Sequence, residues 1–324
     1  MMFSIITSTH NRGHLLPQLF ESLLQQDFND MEWIIVDDGS NDDTPTRVKG
    51  FRDQADFPVV YVRQEDAGKR VADQSGLAIS RGELATCVDD DDFFLPRVLA
   101  GVQEDWLAVR GDSRIAGMSY ICVDRDRHII GREFPSNVFV STHIECRINK
   151  HIWGDKIEFT RPAIHMQFLA PGAPGERFAS ETVTWIRISE HFKTAYHNRP
   201  VLVKDYLDHG TSDNWRALNF RAPIGMASYY KAHLNKSVRL SIRLKYRVAY
   251  IAQMKILGHS SADQVTESLP ERFLYWLCYV PGMLCSAYWR REIAKGTARN
   301  RVVAALRRRG KRSRSLLAKA TLAD

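Results

Sequence analysis

An α/β fold on a mostly parallel sheet, with helices on its faces and a helical C-terminal extension, is predicted by three observations. Short apolar runs alternate with helical patterns over the first 120 residues, two acidic clusters close two of those runs, and beyond Asp213 the apolar spacing is helical. Phe3 to Ile6 reads as a buried strand, and Leu15, Leu16, Leu19, Phe20, Leu23 and Leu24 then recur at helical spacing. Strand Trp33 to Val36, a helix from Thr44-Pro45, strand Val59 to Val62, a helix over Lys69 to Ser80 and strand Leu84 to Val88 follow. Strands joined in this way by helices lie parallel and bind ligands at their carboxyl ends.

The next stretch, to about Asp213, is less regular. Ile115 to Val123 predicts a strand, His128 to Gly131 a turn and edge strand, Pro171 to Gly175 a loop and Ser180 to His191 a helix. Trp153, Trp185, Tyr196 and Tyr206 suit a surface that holds a second substrate, and equally an aromatic core. Phe273 to Trp289 carries no charge but is interrupted at Pro281-Gly282 and falls short of the roughly 20 residues a spanning helix needs. With Arg272, Arg290 and Arg291 at its ends, and Ala294, Ala298, Val302 and Leu306 forming a stripe beyond, it predicts a helix pair lying in the interface of an anionic membrane. The expected organisation is a domain over 1–214, with halves 1–111 and 112–214. A helical region over 215–324 follows, holding the interface segment 273–289 and a basic tail 290–324.

A length of 324 residues suits two domains, and 44% hydrophobic with 26% charged residues excludes a disordered, collagenous or polytopic membrane chain. The net charge of +7 is concentrated in the tail, where twelve Lys and Arg from Arg290 onward face only Glu292 and Asp324, leaving −3 for residues 1–289. A nucleic-acid-binding fold would carry its basicity on the body, so no nucleic acid partner is expected. Five cysteines without a Cys-x-x-Cys pair suit neither a disulfide framework nor a zinc site. With no charged n-region or apolar stretch after Met1-Met2-Phe3-Ser4, the expected location is cytoplasmic, peripheral on the inner face of the cell membrane.

The chemistry centres on Asp37-Asp38-Gly39-Ser40 and Asp89-Asp90-Asp91-Asp92, each following a strand and so projecting toward one edge of the sheet. Crowded carboxylates raise one another's pKa values unless a divalent cation or many donors compensate them. Oxygen-only ligands point to Mg²⁺ or Mn²⁺, although acidic loop residues also cap helices or face solvent. Thr7, Thr9, Asn11 and Arg12 after the first strand, and Gly68-Lys69-Arg70 at a helix start, would offer amides and cations to a diphosphate, or form plain turns. No dinucleotide or P-loop glycine fingerprint is present.

Ser4 to Arg12, Trp33 to Thr44, and Ser80-Arg81-Gly82-Glu83 running into Val88 to Asp92 together resemble the family 2 glycosyltransferases of GT-A fold, over residues 3 to about 100. Gly154-Asp155-Lys156, Gly175 to Glu181, Trp185 and Tyr206 to Gly210 resemble one bacterial branch and extend the likeness to about residue 214. The resemblance implies that Thr9 and Asp38 hold the uracil and ribose of a nucleotide-sugar donor, with Arg70 near the base or phosphate. It implies an Asp-x-Asp motif of Asp89 and Asp91 on Mg²⁺ or Mn²⁺, Asp91 being the direct ligand. Glu181 matches the general base of an inverting, hexosyltransferase-like reaction onto a glycan or lipid-linked acceptor, with Glu176 as fallback. The chain departs from the family at Ser8, His10, Gln74 and Thr182. Two other classes remain open: a sugar-nucleotide nucleotidyltransferase, which predicts a glycine-rich loop where Thr7 to Gly13 has little glycine, and a non-catalytic module whose tail binds anionic lipid or nucleic acid.

Overall fold

The computed structural model describes residues 1–173, 175–204, 215–258, 270–292 and 294–295. Its central strand β1 (Phe3–Thr9) is covered on both faces, which is why it reads as a continuous run rather than an alternation. β1 pairs in parallel with β2 (Met31–Asp37) and with β4 (Leu84–Cys87), and β2 with β3 (Val59–Arg63). The crossovers are α1 (Leu16–Leu24), α2 (Thr44–Gln54) and α3 (Lys69–Ile79). α1 buries Leu16, Leu19, Phe20 and Leu23, four of the residues its spacing selects. On one face of the sheet Phe20, Trp33 and Phe51 cluster with ring centroids 4.6–6.0 Å apart; on the other, Ile6, Ile34 and Val36 pack against Ala72 and Leu77.

The second half extends the same sheet with mixed polarity. After β5 (Phe93–Phe94) and α4 (Leu99–Val109) come β6 (Ile115–Val123), β7 (Val138–Ser141), a π-helical turn (Ile144–Asn149), β8 (Lys156–Thr160), α5 (Pro162–Phe168), α6 (Glu181–Ser189) and β9 (Lys193–Val203). The strand order is β3-β2-β1-β4-β8-β6-β9-β5, with β7 on β9. β8 runs antiparallel to β4 and β6, while β6 and β9 are parallel. The expected edge strand at His128 to Gly131 is reduced to one bridge, Val123 to Ile129. Asp124 accepts the His128 N–H at 2.8 Å and Arg127 adopts φ +67°, so the chain reverses too tightly to extend a strand.

α7 (Trp215–Arg221), α8 (Pro223–Ala232) and α9 (Leu240–Ile256) follow, and a further helix, α10, covers 270–292. By contacts the chain divides into Met1–Tyr246 and Arg247–Asp324, so the expected boundary at 214 falls inside the first unit. In the second unit Pro281-Gly282 does not interrupt the apolar segment, as its composition predicts; α10 runs through it. A Cβ on Gly282 would lie 2.6 Å from Ile251 Cγ2, so the glycine permits close helix packing that outweighs its poor helix propensity. Arg247 pairs with Glu271, and Arg290 Nη2 donates to the Lys255 carbonyl at 2.8 Å. No helix among the described residues is long and apolar enough to cross a membrane. The Tyr206 to Gly210 motif and most of the basic tail lie outside the described residues.

Candidate active site

Parallel pairing brings the carboxyl ends of β1, β2 and β4 to one edge, with Thr9 in register with Asp37 and Ile6 with Cys87. Thr9 joins the two acidic clusters. Its carbonyl accepts the Asp38 N–H at 2.9 Å, and its hydroxyl donates to Asp90 Oδ2 at 2.7 Å. The buried Asp38 carboxylate accepts from Gln64 Nε2 (2.8 Å) and from the N–H groups of Ala67 (2.9 Å) and Gly68 (2.7 Å). Gly68 stands at φ +90° to make that bend into α3, a conformation that favours glycine. Asn11 ties the loops after β1 and β2 together: its N–H donates to Ser40 Oγ at 2.9 Å and its side-chain oxygen accepts the Asn41 N–H at 2.7 Å.

Three cations thread the four consecutive aspartates. Lys69 and Lys204 reach Asp89 at 3.1 and 3.0 Å, Lys204 also reaches Asp92 at 2.5 Å, and Arg12 pairs with Asp90 at 3.2 Å and with Asp91. Lys69, aided by Lys204 against burial, holds the Asp89 carboxyl far below the carboxylate range. Burial pushes Asp90 up to about 6 against Arg12, and Asp92 up to about 7 against Lys204, with Asp89 adding to the latter rise. Asp89, Asp91 and Asp92 each place a carboxylate oxygen within 4.8 Å of the others. That oxygen-only set fits a hard divalent cation in size and chemistry.

Glu181 opens α6 across from this rim, its carboxylate 3.8 Å from Lys69 Nζ, so one ammonium stands between Glu181 and Asp89. The Glu181 side chain is 71% exposed; Lys69 pulls its carboxyl down, but desolvation at the cavity mouth and the charges of Asp89 and Asp73 outweigh that, and the net shift is upward. Glu181 lines a cavity of about 460 Å³ together with Trp185, Trp153, Glu158, Arg147 and His143. Burial pushes Glu158 up to about 7, opposed by Arg147 and reinforced by Glu181, while Ser119 Oγ donates to it at 3.2 Å. Lys156 lines the same cavity. It is buried and donates to the carbonyls of Ile130 (3.2 Å) and Asp155 (3.1 Å), and burial lowers its pKa to about 8.

Two candidate residues have other partners. Both carboxylate oxygens of Glu176 accept N–H groups at the start of α8, from Ile224 and Gly225 at 2.7 Å, so this residue caps a helix. Arg70 lies on the side of α3 facing the loop at 170–173, donating to Gln74 Oε1 at 3.3 Å beside a cavity of about 550 Å³. Lys204, Glu158 and Arg147 escape sequence reasoning because each is a single residue in or beside its element, without a local motif. His143, His151 and His233 share the wall of the Glu181 cavity.

Comparison with known proteins fits this geometry. Residues 4–154 match the family model described as Glycosyl transferase family 2. A GalNAc(5)-diNAcBac-PP-undecaprenol β-1,3-glucosyltransferase of Campylobacter jejuni is 34% identical over 102 residues, 31% of this chain and 33% of that one. TarS of Staphylococcus aureus, a poly(ribitol-phosphate) β-N-acetylglucosaminyltransferase, is 32% identical over 150 residues, 46% of this chain and 25% of that one. The chain thus spans about a third or less of the length of these curated relatives. Residues 1–349 of TarS in complex with UDP-GlcNAc superpose with a TM-score of 0.58 at 17% identity, over 86% of this chain and 79% of that one. A mannosyltransferase, PcManGT from Pyrobaculum calidifontis, in complex with GDP-Man and Mn²⁺, superposes at 0.53 with 20% identity, over 91% and 86%. Residues 4–154 are thus similar to glycosyl transferase family 2, and the chain folds in the GT-A manner.

Proposed function

We propose that the chain transfers a sugar from a nucleotide-sugar donor, UDP-linked, to a glycan or lipid-linked acceptor, with inversion at the anomeric carbon. The observation that carries this is the shared rim: Thr9 bonds to both acidic clusters, and Glu181 faces Asp89 across Lys69. Thr9, Asn11 and Asp38 form the nucleoside end. Three of the roughly four acceptor sites on the Asp38 carboxylate are filled by the 64–68 loop, which fixes it and leaves one for a ribose hydroxyl or base N–H. Arg12 and Lys69 stand where the diphosphate enters, and Arg70 borders the neighbouring 170–173 loop. Asp89 and Asp91, beside Asp92, would hold Mg²⁺ or Mn²⁺, which when bound neutralises charge on the departing diphosphate.

The acceptor hydroxyl lies in the cavity beside Glu181, whose carboxylate takes its proton as the oxygen attacks the anomeric carbon from the side opposite the leaving group. The upward shift of the Glu181 carboxyl suits a base that must pick up a proton. Trp153, which is 62% exposed, and Trp185 offer the acceptor sugar apolar faces. The names of the two curated relatives, acting on undecaprenol-linked and poly(ribitol-phosphate) acceptors, support an acceptor of glycan or lipid-linked type. We place the chain peripherally on the inner face of the cell membrane, with the basic segment 290–324 attracted to anionic headgroups. The test is a donor screen with UDP- and GDP-sugars, following nucleotide release with Mn²⁺ and after chelation. Release that requires the metal and one sugar nucleotide is expected; no release from any donor under either condition defeats the proposal.

A further inference from the structure

One face of α10 stays apolar and exposed. Phe273, Trp276, Leu277, Val280, Leu284 and Tyr288 recur every three or four residues and are each between 49% and 69% exposed. The opposite face is spoken for: Tyr275, Cys278 and Ser286 are buried, and Gly282 packs on Ile251. So many large apolar side chains in one line exceed the scattered exposure normal for a protein surface. Arg272 precedes the line and Arg290 and Arg291 follow it, against Glu271, which is paired with Arg247, and Glu292, which is paired with Lys295 at 3.0 Å.

We infer that α10 is a lipid-inserting helix, lying in the plane of an anionic bilayer with these six side chains in the acyl boundary and its flanking arginines at the phosphates. Several details favour a bilayer over a protein partner. The apolar line is capped by cations at both ends, Trp276 and Tyr288 are the residue types that settle at headgroup depth, and the segment is not apolar enough to span. This deepens the membrane location proposed above, but stands on different residues from the basic tail.

The experiment is co-sedimentation of the full chain with phosphatidylglycerol/phosphatidylcholine vesicles and with phosphatidylcholine alone. It compares wild type with Leu277→Asp/Leu284→Asp, both exposed positions, and follows donor turnover and oligomeric state in parallel. The wild type should partition onto the anionic vesicles and stay partly bound in about 0.5 M salt, where charge attraction is screened. The variant should lose at least tenfold in partitioning with turnover unchanged. Equal partitioning of the variant, or full release of the wild type by salt, would overturn the inference. So would a wild-type dimer that ignores vesicles and is dispersed by the variant. Vesicle binding through this face by a chain that turns over no sugar nucleotide would uphold the inference while removing the transferase function.

Discussion

The Asp89 carboxyl beyond β4 and the Glu158 carboxyl in the Glu181 cavity meet opposite surroundings. At the rim, Asp89 sits between Lys69 and Lys204 and is held ionised. In the cavity, the half-buried Glu158 is desolvated with only partial compensation from Arg147 and is pushed up to about 7. The first arrangement suits binding a cation and a polyanion; the second suits accepting and shedding protons near neutrality. The same residue types would therefore serve two halves of the proposed reaction because the cations are distributed unevenly between them.

The most severe way to break the rim is Asp91→Asn, which removes one charged ligand from the proposed metal set while leaving the loop's shape. Donor turnover should fall on the order of 10³-fold, a loss of several kcal/mol of transition-state stabilisation. Steady-state assays across Mn²⁺ concentrations would show it, and undiminished kcat at saturating metal would strip Asp91 of that role. Next comes the cavity. Glu181→Gln should lower kcat by roughly 10²- to 10³-fold with little change in donor KM, since the proposed base would act only on the acceptor proton. Glu176→Gln should leave kcat intact and lower stability by about 1 kcal/mol, because it weakens the cap on α8. Equal losses in the two variants would mean that Glu181 does not act alone.

What was legible in advance follows the same division. Trp33 to Asp38 and Leu84 to Asp92 place strand, turn and acid in one unbroken stretch, so local sequence predicts both the fold and the rim. The cavity needs the π-helical turn, β8, α6, α8 and α9 to converge, and nothing local tells Glu158 that Arg147 will face it. Lys204 is equally silent, standing 112 residues after the aspartate it pairs with most closely, Asp92. The misread break at Pro281-Gly282 has the reverse cause: local propensity gave a clear signal, and packing against Ile251 overrode it.

Lys204 offers a way to sharpen the comparison by making the rim resemble the cavity. Lys204→Met leaves Asp92, which is 2% exposed, and Asp89 short of a cation, and breaking such a buried pair should destabilise the fold by about 3 kcal/mol. Mn²⁺ should then stabilise this variant more than the wild type, since binding restores positive charge the native state has lost. Thermal melts with and without the metal read both effects. A variant that melts like the wild type, with the same metal response, would show that Lys204 does not balance the aspartates.

The gentlest test uses pH. Glu158 titrates near 7 in the folded chain against an ordinary 4.5, facing Arg147 and Lys156, which lower it, and Glu181, which raises it. Between those two values the folded state keeps a proton that the unfolded state has released. Stability from this group is therefore present below about 4.5 and is lost as pH rises to about 7, at no more than about 1.4 kcal/mol per pH unit. Asp89 has the opposite sign: its depressed pKa contributes stability above about 3.8, and that contribution is lost only as the solution becomes more acid. Glu158→Gln should flatten the decline in denaturation midpoint between pH 5 and 7, whereas Asp89→Asn should leave that slope unchanged and lower the midpoint throughout. If Glu158→Gln keeps the wild-type slope, the proton resides elsewhere in the cavity, and the contrast between an ionised Asp89 and a protonated pocket no longer rests on this glutamate.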